Sequence, residues 1–249
     1  HSPLTQAQWE DPSNGFNNGA ANNAWIWGFS LVAENLSNLL TFVSHISSEA
    51  SWGYARYAQF GVSARLYDQI PDTDFRKHSW IDPAYLENPA AKLPYDYKFA
   101  GSAEDKAGYI ANAVPYQSIK FRPAQGECND NVTGNVTDFP LMRVEEMYFI
   151  QAEALAAGGD IPAGQKVLND FMKTRIADGS YSCSAYTDLE SFTDELLLQK
   201  RIEFWGEGIL IYDYKRLDQP IDRSAANHAG VFKLRTKRRS PQWNIVITR

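Results

Sequence analysis

Residues 195–216 read Glu195-Leu-Leu-Leu-Gln-Lys-Arg-Ile-Glu-Phe-Trp-Gly206-Glu-Gly208-Ile-Leu-Ile-Tyr-Asp-Tyr-Lys-Arg216. Charge and bulk alternate at helical spacing as far as Gly206, and an aromatic stretch resumes after Gly208. Two glycines this close allow an abrupt change of direction without a Cβ clash. The bend predicts that Arg201, Glu203, Glu207, Asp213 and Arg216 meet and form ion pairs. Such a corner holds helices together and does not read as a catalytic site.

Upstream, residues 141–157 carry apolar side chains at helical spacing (Leu141, Val144, Met147, Tyr148, Leu155) and stop at Gly158-Gly159. Pro162 suits the first turn of a second helix that turns Val167, Leu168, Phe171 and Met172 inward. Helix, short turn and antiparallel helix make a tetratricopeptide-type hairpin, here a single unit. Thr187-Asp-Leu-Glu190 reads as a capping box for the next helix. Residues 24–48 also show helical spacing, through Trp27, Leu31, Leu36 and Val43, whereas 51–134 show no sustained period. That long irregular segment is rich in aromatics, and such segments within a domain are often functional.

The chain has 249 residues, enough for a full core, with 44% hydrophobic residues and a net charge of −6. The acidic balance argues against nucleic acid, which demands a basic footprint. No apolar run approaches a membrane span. Aromatics make up 13% of the chain, including 7 Trp and 13 Tyr, a supply suited to stacking on sugar rings. Most such residues are nevertheless core. Cys128 and Cys183 are the only cysteines, and a disulfide and two free buried thiols fit the sequence equally well. The four His (1, 45, 78 and 228) lack ligand spacing. Structural calcium at Asp130-Asn131 or Asp72 and Asp74 stays open, and no other cofactor is implied.

Residues 195–216 resemble the C-terminal signature of the SusD/RagB family through Arg201, Glu203, Gly206, Glu207, Gly208, Asp213 and Arg216. A second family feature reads here as Leu141-Met-Arg143-Val-Glu-Glu146, continuing to Ala152-Glu153-Ala154, and a weaker one as Ile70-Pro-Asp-Thr-Asp74-Phe-Arg76. Two departures are Asn169-Asp-Phe-Met-Lys-Thr-Arg175 and Leu210, where the family carries arginine-bearing patterns. The resemblance implies a mainly α, SusD-like fold of tetratricopeptide-type hairpins with long irregular loops. It implies the C-terminal part of one domain: 1–137 loop-rich and ligand-binding, 138–216 a helical scaffold, 217–249 a tail. The tail holds a basic run from Lys233 to Arg239 and ends on Trp243-Asn-Ile-Val-Ile, similar to the family's closing strand or anchor. Members are about twice this length and start from a lipidated Cys, so the N-terminal lipid anchor would lie outside this chain.

The function implied is non-enzymatic capture of oligosaccharides or peptides at the outer surface of the outer membrane, with delivery to a SusC-like TonB-dependent transporter. Trp52, Tyr54, Tyr57, Trp80 and Trp27 are the candidate ligand-stacking residues; for any one of them core packing is the commoner fate, and Trp27 at a helix start leans that way. Two other functions share parts of the pattern. A tetratricopeptide-type scaffold for proteins needs the helices but not the aromatic segment. An α-helical carbohydrate enzyme needs a desolvated carboxylate facing a second one across a cleft. Glu145 and Glu146 point to different sides of a helix, and Glu203 and Glu207 share a face where nearby Arg201 and Lys215 would keep both ionised.

Overall fold

The computed structural model describes residues 1–13, 15–19, 22–36, 39–58, 60–87, 98–224, 227, 230 and 235–238, without the side chains of 56 and 58. Lys233 and Arg239 of the basic run, and the Trp243 segment, lie outside the described residues. The elements in chain order are α1 (Gln6–Trp9), β1 (Trp25–Phe29), α2 (Phe42–Ile46), α3 (Ala55–Ala58), α4 (Ala64–Tyr67), α5 (Pro83–Glu87), α6 (Ala103–Asn112) and α7 (Asn131–Gly134). Then follow β2 (Phe139–Arg143), α8 (Val144–Ala157), α9 (Ile161–Met172), α10 (Leu189–Glu203) and α11 (Leu210–Arg216). The mainly helical architecture is as expected. Among the described residues no helix is long and apolar enough to cross a membrane.

The long helices form where the sequence places them. Asp160 caps α9 by accepting from Ala163 N, and Pro162 sits in its first turn. α10 is capped by Asp188, which accepts from Ser191 N, one residue after the expected Thr187. The inward stripe of α8 is Glu145, Phe149, Ala152 and Ala156, offset by one position from the predicted one. The offset arises because its first inward position is taken by a carboxylate, which a hydrophobic pattern does not count. With α9 and α10 this stripe builds a cluster around Phe149, Leu168, Phe171, Phe192, Leu196 and Phe204. Burying each such side chain contributes about 1.5–3 kcal/mol.

Two predicted helices are corrected. Trp25–Phe29 is a strand, pairing antiparallel with Phe139–Arg143 (Trp25 opposite Arg143, Phe29 opposite Phe139). Aromatic and β-branched residues fit a pleated ribbon better than a helix here, and Phe29 and Phe139 stack at 5.7 Å. The same pairing keeps Leu141 out of α8, which starts at Val144. Within the supposedly irregular 51–134, α6 is a full helix, opened by a capping box between Ser102 and Asp105.

The turn at 206–208 is as sharp as its glycines suggest. Gly206 and Gly208 adopt φ of 80° and 82°. A Cβ on Gly206 would stand 2.7 Å from the Phe121 ring, while one on Gly208 would meet nothing within 4 Å. The charges of the signature do not pair as predicted, however. Glu203 and Glu207 take partners from distant segments, and no ion pair of Arg201 is seen among the described residues. Glu203 faces Arg76, Arg143 and Arg175; Glu207 faces Arg143 and Lys120. Asp213 does pair with Arg216, and also with Lys200.

Candidate functional site

The densest chemistry in the molecule is this buried ionic knot, and its geometry marks it as scaffold. Glu203 is 0% exposed and receives Arg175 Nε at 2.9 Å, Arg175 Nη2 at 2.9 Å, Arg143 Nη1 at 3.2 Å and Arg76 Nη1 at 3.2 Å. Asp74 chelates Arg76, and Glu145 receives both Arg175 and the Leu4 backbone N–H. Glu145 Oε2 stands 2.9 Å from Arg143 Nη1 as an ion pair without hydrogen-bond alignment. Aromatic rings wall the knot, with the Arg143 guanidinium 4.9 Å from both the Phe16 and Phe204 rings and Arg175 4.8 Å from Phe171. Burial alone pushes the Glu203 carboxyl up, but Arg175, Arg143 and Arg76 outweigh it and hold its pKa well below the usual carboxylate value. Burial draws the Lys120 ammonium down to about 8, although all its donors are placed, on Glu203 O, Trp205 O and Glu207. A carboxylate locked by three guanidiniums is neither a proton donor nor a nucleophile.

The sequence-predicted aromatics separate. Trp80 is 0% exposed and packs edge-on against Trp205 at 5.6 Å, so it offers no face to a ligand. Its place in the aromatic-rich segment suggested a surface, but Ile81 and Ile119 hydrogen bonds flanking it tie that stretch into the core. Trp27 is not a buried residue at a helix start: it lies on strand β1 opposite Met142 and is 63% exposed. Trp52 is half-buried and donates Nε1 to Glu127 O at 3.4 Å. Tyr54 is partly exposed with its ring 5.2 Å from His45, and Tyr57 is 86% exposed.

Tyr57 also lines a cavity of about 510 Å3 between the 48–57 segment and α6. Two hydrogen bonds pin the first wall: Ser48 N to Ser118 O at 3.1 Å and Ser51 N to Cys128 O at 2.9 Å. The second wall is the face of α6 bearing Glu104, Asp105, Gly108, Tyr109 and Asn112. Tyr109 stacks on Phe99 at 5.7 Å and 13° between planes, and its hydroxyl hydrogen-bonds Ser48 Oγ at 2.7 Å. Gln117 and Asn129 add amides. Hydrogen bonds from Ser102, then from Asn129, hold the Asp105 carboxyl below its ordinary value. Phe99, Asn112 and Gln117 were not singled out from the sequence. The capping pattern Ser102-Ala-Glu-Asp105 was the readable signal that a helix wall forms there.

The remaining candidates lie elsewhere. Asp130 caps α7 by accepting from Val132 N and Thr133 N, Asp72 pairs with Lys77, and Asp74 is inside the knot. Among the described residues no group of three or more His, Cys, Asp or Glu is assembled for a metal. Cys128 and Cys183 are free thiols, Cys128 beside the cavity and Cys183 in the helical cluster. Burial pushes them up to about 12 and about 11 respectively.

Comparison with known proteins places this scaffold. The sequence pattern described as "SusD family" matches residues 47–243. This chain belongs to the SusD family. Similar solved structures include a SusD superfamily protein from Bacteroides vulgatus (TM-score 0.65, 17% identity, 95% of this chain and 45% of that one). Another is a SusD superfamily protein from Bacteroides thetaiotaomicron (TM-score 0.64, 19% identity, 98% and 48%). A third is a "SusD-like carbohydrate binding protein" from Bacteroides vulgatus (TM-score 0.61, 23% identity, 89% and 39%). The chain thus spans less than half the length of these structures. Among curated proteins no relative matches.

Proposed function

We propose that this chain is the glycan-capturing part of a cell-surface nutrient-binding protein and catalyses nothing. One observation carries the reading: a SusD-family scaffold holds open a cavity of about 510 Å3 with Tyr57 at its rim, a Phe99–Tyr109 stack, and a lining of amides and carboxylates. Apolar ring faces match the C–H faces of a pyranose, and the polar groups select its hydroxyls. The similarity to a structure described as carbohydrate-binding supports it. The whole protein would sit on the outer surface of the outer membrane through a lipid anchor and pass its ligand to a SusC-like TonB-dependent transporter. Peptides are the alternative ligand.

The test is a glycan array probed with the chain and with Trp52→Ala, Tyr54→Ala and Tyr57→Ala, with reducing sugar assayed in parallel. Binding without sugar release, weakened most by Tyr57→Ala, supports the reading. Sugar release overturns it. A protein-binding scaffold is favoured by a different surface. Trp27 and Phe29 on β1, and Leu141, Met142, Ile150 and Tyr212 around a groove of about 540 Å3 between α8 and α11, are exposed apolar residues. Protein capture lost in Tyr212→Ala with no glycan bound by any variant would support that reading instead.

A further inference from the structure

The cavity's charge is one-sided. Glu49, Glu104 and Asp105 line it, and among the described residues no Lys, Arg or His does. Glu49 is balanced from behind by Arg122 Nε at 3.5 Å, so the uncompensated charge belongs to Glu104 and Asp105 in the first turn of α6. A second group faces the same space. Gln117 is only 4% exposed, and its Oε1 accepts from Val114 N at 2.8 Å. Gln117 lines the cavity, and no hydrogen bond from its amide N–H2 is seen among the described residues.

The geometry points to a site that takes uncharged glycans and rejects those carrying uronate or sulfate groups. This rests on the cavity being the glycan site. Ionised carboxylates accept hydrogen bonds and cannot donate. A sugar hydroxyl donates to Glu104 or Asp105 while accepting from Gln117, and so satisfies both sides of the cavity. A uronate or sulfate oxygen has a partner in Gln117 but no proton to give the acids, and its charge faces theirs. Glu104 is exposed and Asp105 half-buried, so this repulsion is screened by solvent and weakens further with salt.

The test is isothermal titration of the chain with neutral gluco-, manno- and galacto-oligosaccharides. The best binder is then compared with its derivative in which primary hydroxyls are oxidised to uronates. Both are titrated at low and high sodium chloride, against the native chain and Glu104→Gln. The expected result is about tenfold or greater weakening for the uronate form at low salt. That gap should narrow at high salt and in Glu104→Gln. A gap insensitive to both salt and the substitution, or no gap, overturns the charge selection while leaving the cavity a glycan site. Failure of every neutral oligosaccharide to bind overturns the site reading itself, and this inference with it.

Discussion

Glu203→Gln is the substitution that most severely tests the ionic knot. The side chain keeps its shape and one acceptor oxygen but loses its charge. In the native knot Asp74, Glu145, Glu203 and Glu207 balance Arg76, Lys120, Arg143 and Arg175, one charge for one. The substitution leaves an uncompensated positive charge among side chains that are 0–1% exposed. Removing one partner from a buried pair costs about 3–5 kcal/mol, mostly as the penalty on the charge left behind. For a chain of this size that is a fall in melting temperature of roughly 6–20 °C. Urea unfolding followed by tryptophan fluorescence measures it, with Asp170→Asn as the reference. Asp170 pairs with Lys166 and Lys173 on the solvent-facing side of α9, and such surface pairs contribute about 0–1 kcal/mol. A loss in Glu203→Gln no larger than in Asp170→Asn would refute the reasoning. The pH dependence gives the same test a sign. Because the folded Glu203 pKa lies below the unfolded one, its stabilisation is complete above the ordinary carboxylate value and drains away as pH falls below it. Glu203→Gln should therefore flatten the acid side of the stability curve.

Three further outcomes follow from the geometry. Gly206→Ala meets both a left-handed backbone and the Phe121 ring, whereas Gly208→Ala meets only the first, so the former should destabilise by clearly more than the latter's roughly 1–2 kcal/mol in chemical unfolding. Trp80→Ala should cost about 3–5 kcal/mol as a core truncation, whereas Tyr57→Ala, at 86% exposure, should leave the melting temperature within a degree or two and be read out in ligand binding instead. Both thiols should react slowly with iodoacetamide at neutral pH in the folded chain and quickly in urea, since burial keeps them protonated.

How much of this was legible depended on the range of the interaction. The hairpin of α8 and α9, the turn at Gly206 and the start of α9 are written in local spacing, and they form accordingly. The β1–β2 ribbon joins segments more than a hundred residues apart, and each strand alone mimics a helical stretch. The knot was half visible. Its residues lie in the recognised motifs, but Arg76, Arg143 and Arg175 reach Glu203 from segments that no local spacing relates to it. The candidate site was least legible. Tyr57 was named, yet its companions Phe99, Tyr109 and Gln117 converge only when α6 packs against the 48–57 segment. Trp80 shows the converse, since an aromatic in a polar stretch carries no local mark of being buried.

The central claim is that the cavity beside Tyr57 takes the ligand. The most direct test maps chemical-shift changes in the isotopically labelled chain as a binding oligosaccharide is titrated in. The account predicts changes concentrated at Ser48, Tyr57, Phe99, Tyr109, Asn112 and Gln117, with none at Trp27 or Tyr212. Changes centred on Trp27, Met142 and Tyr212, with the cavity silent, would contradict it.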